Sequence, residues 1–351
     1  MKIALANDTH AGARGDSLLF NDYFFQFWDG VFFPYLKKNN IKKVFHLGDL
    51  VDKRKSINYV ILNSWNKKYF QYMDTNGIDF EAIVGNHDVP YKNTNEVDAI
   101  TELFKKKYPN IIVHTQPTEV TFEGTKVLLL PWINSENNAA SMSLIKSTNA
   151  QIAFGHLEIA GFEFDRGNMC HDGLDRSIFN KFEKVISGHF HHKSSDGTID
   201  YLGCQYEMTW QDYGDPKGFH VFDTSTRKLE FIKNPNRMFF KHVYDEDEYV
   251  EPTEEEIHKK YVKVIVRNRL DNTKFDDYIS RIEKIGPADL NIVESDFGTE
   301  IKLSDTIDET KSTIDILVDH IKKSPEEGVK NSDVEKLLKE LYLESQKMET
   351  E

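Results

Sequence analysis

From the N-terminus, short apolar runs alternate with helix-length amphipathic segments: KIALAND, a helix near 17–39, KKVFHLGD, a helix near 57–76, then FEAIVGN. The short runs have strand length and β-branched content, so the alternation predicts an α/β fold. Two hairpin patterns follow. TEVTFEGTKVLLLPW turns at Glu123-Gly124, and GFHVFDTSTRKLEFI turns near Thr224 to Thr226. Between them, QIAFGH and EKVISGHFHH read as strands that end in Gly-His.

The pattern changes near 244–256, where YDEDEYVEPTEEE is a run of like charge around Pro252 and reads as a solvated linker at a domain boundary. Beyond it, YVKVIVRNR, a helix near 273–285 and ADLNIVES predict a small β-α-β unit. Helical segments near 306–323 and 331–347 close the chain. In the last of these, Val334, Leu337, Leu338, Leu341 and Leu343 form an apolar stripe, which either packs on the protein's own core or docks a partner. The expected division is 1–240, 241–302 and 303–351.

Five short motifs stand at strand ends: Asp8-Thr9-His10, Gly48-Asp49-Leu50-Val51-Asp52, Gly85-Asn86-His87-Asp88, Gly155-His156 and Gly188-His189-Phe190-His191. Their carboxylate, imidazole and amide groups suit Mn, Fe or Zn and not a calcium cage of oxygens alone. Asp8 and His10 lie two apart, so an extended chain would present both on one face, and His189 and His191 repeat the spacing. Glycine before Asp49, Asn86, His156 and His189 lets the backbone turn sharply or approach closely.

A carboxylate has two oxygens, so Asp49 is a candidate bridge between two ions. Ions about 3.5–4 Å apart hydrolyse phosphoesters, activating water and neutralising the phosphoryl oxygens. If Asn86 is the ligand, His87 is left to face substrate and protonate the leaving oxygen or stabilise charge there, with Asp88 or Asp52 to orient it. His46, His114, His171, His192 and His220 read as structural.

Composition adjusts this picture. The net charge of −14 disfavours nucleic acid at first sight, but residues 241–351 carry 17 of the 44 basic and 29 of the 58 acidic side chains, so the acidity belongs to the C-terminal third. Lys53, Arg54 and Lys55 follow the Asp49 motif and Lys92 follows the Gly85 motif, cations suited to guiding a phosphate backbone. The two cysteines, Cys170 and Cys204, form no C-x-x-C pair, no run is long enough to span a bilayer, and an intracellular protein is expected.

The order D-x-H, G-D-x-x-D, G-N-H-D, G-H and G-H-x-H over residues 8–191 closely resembles the calcineurin-like metallophosphoesterases. NDTHAGARGD, VFHLGDLVDKRKSI, AIVGNHDVPYKN and VISGHFHH look, more finely, like the nuclease subunits of SbcCD and Mre-type recombination complexes, particularly compact phage versions. The resemblance implies a four-layer α-β-β-α sandwich with a small α+β cap domain and C-terminal helices. It further implies two divalent ions, usually Mn²⁺, and a nuclease that degrades duplex DNA ends and cuts single strands, in the cytoplasm of a host cell if the source is viral. By position Asp8, His10, Asp49 and His191 would hold one ion, and Asp49, Asn86, His156 and His189 the other. His87 matches the catalytic histidine.

The resemblance also implies a homodimer and a C-terminal helical segment docked on the coiled coil of an SMC-like ATPase. Asp52 stands where some relatives carry a second histidine, so it is expected to act through its neighbours. Tyr201-Leu202-Gly203-Cys204-Gln205 departs from the Tyr-x-Gly-Ser-Pro turn common in relatives. A small-molecule phosphodiesterase or phosphatase, and a non-catalytic scaffold of the same fold, remain as alternatives.

Overall fold

Side-chain alternation along short strands sorts the apolar residues into separate layers. In β1 (Lys2–Ala6), Ile3 and Leu5 belong to one buried cluster and Ala4 and Ala6 to another, as expected when successive residues face opposite sides of a sheet. A computed structural model describes residues 1–294 except Arg166, and the features below are of those residues.

One sheet runs β14 (Leu229–Lys233), β13 (Gly218–Asp223), β1, β2 (Lys43–His46), β3 (Asp79–Ile83) and β4 (Ile111–His114), with β1 to β4 parallel. The second runs β11 (Ser194–Ser195), β12 (Ile199–Tyr201), β10 (Lys184–Gly188), β7 (Ile152–His156), β6 (Thr125–Leu130) and β5 (Thr118–Phe122), with parallel strands inside and antiparallel edges. A small ribbon of β8 (Glu163–Asp165) and β9 (Asn168–Met169) stands apart.

Ile3, Leu5, Phe45, Ile83, Val127, Leu129, Phe154 and Ile186 fill the space between the two sheets. The outer face of the first sheet carries small residues, Ala4, Ala6 and Ala82, against aromatic side chains of helical stretches 18–38 and 59–75. The outer face of the second packs Leu128, Ala153 and Val185 against Ile145 of helix Asn138–Ser147 and Phe179. The four layers are therefore α-β-β-α, as expected, and both hairpins form, the first turning through left-handed Glu123 (φ 45°) and Gly124 (φ 84°).

Both long helices pass through a π-type turn, Trp28–Phe32 and Trp65–Phe70. Large rings meet there: Trp28 lies 4.9 Å from Tyr69 and 6.1 Å from Trp65, centroid to centroid. Ser17 and Asn58 cap the N-termini by accepting the N–H groups of Phe20 and Val60.

A third sheet, β15 (Phe239–Asp245), β16 (Tyr261–Asn268) and β17 (Asp289–Glu294), carries helix Asn272–Ile285 and has its own core of Tyr244, Val262, Val264, Phe275, Tyr278 and Ile282. β15 begins in the main core at Phe239 and ends in this one at Tyr244. The stretch 244–256 is thus more packed than a solvated linker: Tyr244 is fully buried and stacks on Tyr249, and Thr253 with Glu256 forms a capping box at Glu254–Ile257. Its aromatic positions outweigh its charge. The expected helices near 306–323 and 331–347, and segment 303–351 as a docking element, lie outside the described residues.

No helix among the described residues is long and apolar enough to cross a membrane. Trp28→Ala would empty the centre of the aromatic cluster, and a loss of about 3–5 kcal/mol is expected, read as a lower denaturant midpoint at unchanged slope.

Candidate metal centre

The C-terminal ends of β1, β2, β3, β7 and β10 converge, and all five sequence motifs meet there. Three groups of side chains could each hold an ion: Asp8, His10 and His191; Asp49, His156 and His189; and His10, Asp49 and His87. Asp49 Oδ2 stands between the first two, 3.4 Å from His156 Nε2 and 3.9 Å from His10 Nε2. His10 Nε2 and His191 Nε2 are 3.1 Å apart, and Asn86 Oδ1 is 3.0 Å from His156 Nε2.

Neighbours orient the inward-facing atoms. His156 Nδ1 is 2.7 Å from the Leu47 carbonyl, so the proton sits on Nδ1 and Nε2 faces the centre. His10 Nδ1 lies 3.3 Å from Asp52 Oδ1, a carboxylate–imidazole arrangement that again frees Nε2. His189 N–H donates to Asp8 Oδ2, and His87 N–H donates to Asp49 Oδ1. His87 Nδ1 is 2.5 Å from the Asp52 carbonyl. Asp52 therefore serves both: its side chain holds His10, and its main chain holds His87.

The centre concentrates buried carboxylates and imidazoles that shift one another's protonation. Asp8 is fully buried and Asp49 is 2 % exposed. Burial would raise Asp49, but the imidazoles of His156, His87 and His10 hold it well below the usual carboxylate range. Against their own burial, carboxylates raise His10 to about 8 and His156 to about 9. Burial lowers His189 to about 3, aided by His156, and His191 to about 4, aided by His10. Protons on His10 and His156 stand in for positive charge that divalent ions would supply, and the mixed oxygen and nitrogen donors fit a borderline metal.

Residues 1–193 match the family model of calcineurin-like phosphoesterases. The chain is 37% identical over 236 residues to exonuclease subunit 1 of Enterobacteria phage T4, covering 67% of this chain and 68% of that protein. The chain belongs to the calcineurin-like phosphoesterases. It is also 23% identical over 267 residues to the SbcD component of the SbcCD nuclease of Staphylococcus saprophyticus, covering 71% of this chain and 64% of that one. A solved archaeal phosphodiesterase aligns at TM-score 0.36 and 14% identity over 67% of this chain and 100% of its own. The family uses divalent metals, and the donor clusters described above suit them.

The two-residue spacing predicts donors displayed from extended chain, but in this calcineurin-like phosphoesterase they stand on coiled backbone. Asp8 (φ 46°), His10 (φ 42°), Asp49 (φ 57°) and His189 (φ 87°) all adopt positive φ, uncommon outside glycine though Asp and His tolerate it better than most, and four such residues together are typical of over-determined sites. Interlocked loops hold them: Asp8 N–H donates to Gly48 O, His10 N–H to Asp49 O and Ala11 N–H to Leu50 O. Gly188 is required by close approach, since a Cβ there would lie 2.8 Å from Leu47 O.

Two supporting residues act differently from what the sequence led us to expect, or escaped it. Asp88 does not orient His87. It is buried and accepts the main-chain N–H groups of Asp49, Leu50, Val51 and Gly85, while burial and the Asp49 carboxylate push its pKa up. Lys217, 26 positions from His191, is buried between Asp212 and Asp215 and donates to His191 O at 2.9 Å. An isolated lysine before a strand carries no local sign of that contact.

The expected phosphate-guiding cations stand beside the centre rather than in it. Lys53 pairs with Asp16 at 2.5 Å, Lys53 and Arg54 line a neighbouring cleft with Tyr91, and Lys92 is exposed. Arg14, which the motif reading passed over, lines the central cleft with His10, His87 and His191.

Metal and protons compete here. The raised His10 and His156 stabilise the metal-free fold fully below pH 6.5, and that contribution is lost as pH rises through about 8 to 9. The lowered His189 and His191 act oppositely, costing stability as pH falls below 6.5. The rise in Tm on adding Mn²⁺ should therefore widen between pH 6.5 and 8.5, measured by differential scanning against a chelated control. A pH-independent increment would contradict the ligand set.

Proposed function

We propose that this phosphoesterase is a metal-dependent DNA nuclease subunit of an SbcCD-like complex, degrading duplex ends and cutting single strands. The observation that carries the reading is the placement of His87: Nδ1 anchored on the Asp52 carbonyl, ring 4.8 Å from His10, beside the donor set. Two relatives, an exonuclease subunit and a nuclease subunit, support DNA as substrate.

Asp8, His10, Asp49 and His191 would hold one ion, and Asp49, Asn86, His156 and His189 the other. Two divalent ions, Mn²⁺ in our reading, supply Lewis acidity and a nucleophile at neutral pH. The chain itself fixes the remaining geometry. Asp52 and Leu47 set the ring orientations of His10 and His156, so the metal-facing nitrogens need no reorganisation. His87, its Nδ1–H committed to Asp52, presents Nε2 to protonate the leaving oxygen.

Arg14 at the cleft wall, with Lys53 and Arg54 in the neighbouring cleft and exposed Lys92, would contact the flanking backbone. The division into 1–240, 241–302 and 303–351, an ATPase bound through the last segment and a homodimer belong to the same reading, as does a host cytoplasm.

The test compares wild type with His87→Ala on end-labelled duplex and single-stranded DNA with Mn²⁺, Mg²⁺ or chelator, and with an aryl phosphodiester as control. Mn²⁺-dependent DNA cleavage lowered about 10²- to 10⁴-fold in the variant is expected. Hydrolysis of the small ester alone would favour the phosphodiesterase reading. Inactivity toward both, with metals bound and an ATPase partner supplied, would favour the scaffold.

A further inference from the structure

On the His156–His189 side of the metal centre lies a second, larger cleft of about 630 Å³. Trp132, Asn138, Glu158, Asp172 and His156 are among its walls. Its size falls within the range of small-molecule sites, about 300–1,000 Å³. Trp132 follows β6 and is half-buried, its ring centroid 5.2 Å from that of His189 and 6.1 Å from that of His156.

Both walls are built. Trp132 N–H donates to Val84 O at 2.9 Å, and Trp132 O accepts from Asn95 Nδ2 at 2.9 Å and from Asn137 Nδ2 at 3.0 Å. Asn134 links the clamp by donating to Asn95 Oδ1, and all three asparagines are buried. On the opposite side Leu174 N–H donates to Glu158 O and Ala160 N–H donates to Leu174 O. This approach is close enough that a Cβ on Gly173 would lie 2.7 Å from Glu158 O. An aromatic ring on a clamped backbone costs little ordering on binding.

Charge decides what fits. Glu158 and Asp172 are exposed carboxylates, Glu158 Oε2 standing 4.0 Å from His189 Nε2, and among the described lining residues there is no Lys or Arg. A phosphate would meet like charge. A planar, uncharged group bearing N–H donors would stack on Trp132 and donate to the carboxylates, which is the chemistry of a nucleobase.

We propose that this cleft receives the base of the nucleotide whose phosphate lies at the metal centre, with Trp132 as stacking platform. The inference rests on the DNA reading above. Entry requires the base to leave its neighbours, which costs least for a terminal or unpaired nucleotide, so the cleft favours strand ends and single strands over duplex interior.

The test uses linear DNA whose terminal nucleotides carry a base or an abasic tetrahydrofuran analogue, with wild type, Trp132→Ala and Trp132→Phe. Wild type should cleave base-bearing ends roughly 5- to 150-fold more efficiently, the span expected of one base–aromatic stack. The two rates should converge in Trp132→Ala, and Trp132→Phe should retain part of the difference. Equal wild-type rates, or discrimination that survives Trp132→Ala, would overturn the proposal.

Failure of the nuclease reading looks different, since wild type would then cleave neither substrate. In that case tryptophan fluorescence of the Zn²⁺-loaded protein is titrated with a deoxynucleoside monophosphate and with deoxyribose 5-phosphate. Quenching by the nucleotide alone, absent in Trp132→Phe, upholds the cleft, and its absence in wild type overturns it.

Discussion

A carboxylate aimed away from the donor set holds the centre together. Asp88 accepts four main-chain N–H groups, three from the loop after β2 and one from the loop after β3, and so fixes the distance between Asp49 and the Asn86-His87 pair. Removing such an acceptor would leave several buried donors without partners, each costing about 1–3 kcal/mol. The Asp49 backbone is left-handed and both of its oxygens are engaged, so the loop holds this conformation only because Asp88 and the Gly48 carbonyl over-determine it.

The same economy runs through the site. Two sheets packed on a common apolar layer bring five strand ends together, and hydrogen bonds to the loops' main chain, from other loops and from buried side chains, set the donor positions. Tyr206 shows how the helical layer joins in: it stacks on Phe24 at 3.8 Å and its hydroxyl donates to the Thr9 carbonyl between Asp8 and His10. Lys217 does the same for His191 from the other side. Core packing and donor geometry are one structure, so substitutions in the aromatic layer should be felt at the centre.

These couplings explain what was legible beforehand. Strand length and alternation gave the α/β order, and Gly48-Asp49, Gly85-Asn86, Gly155-His156 and Gly188-His189 were readable because each donor is encoded beside the strand that carries it. The left-handed conformations of Asp8, His10 and His189 were not, since two-residue spacing looks the same in extended and coiled chain. Lys217 and Trp132 were invisible for another reason: their partners are long-range, and a lysine or tryptophan beside a strand has no fixed meaning. The acidic run at 244–256 misled because charge dominated the pattern while Tyr244 and Tyr249 decided the packing.

Charge also bears on how a chain of net −14 would engage a polyanion. Asp49 and Asp52 line the central cleft with Asp8 buried behind them, and the nearest basic side chains are partly spent on Asp16 or on aromatic faces. Without metal, the positive charge beside these carboxylates comes from His10, His156 and Arg14, whereas two divalent ions would add strongly to it at short range. On the proposed function, then, attraction for the scissile phosphate is conditional on metal. On the same reading, attraction for the rest of the duplex would come from Arg14, Lys53, Arg54, Lys92 and a partner surface. On that reading the metals carry the attraction at the centre, which makes the acidic composition compatible with a DNA substrate.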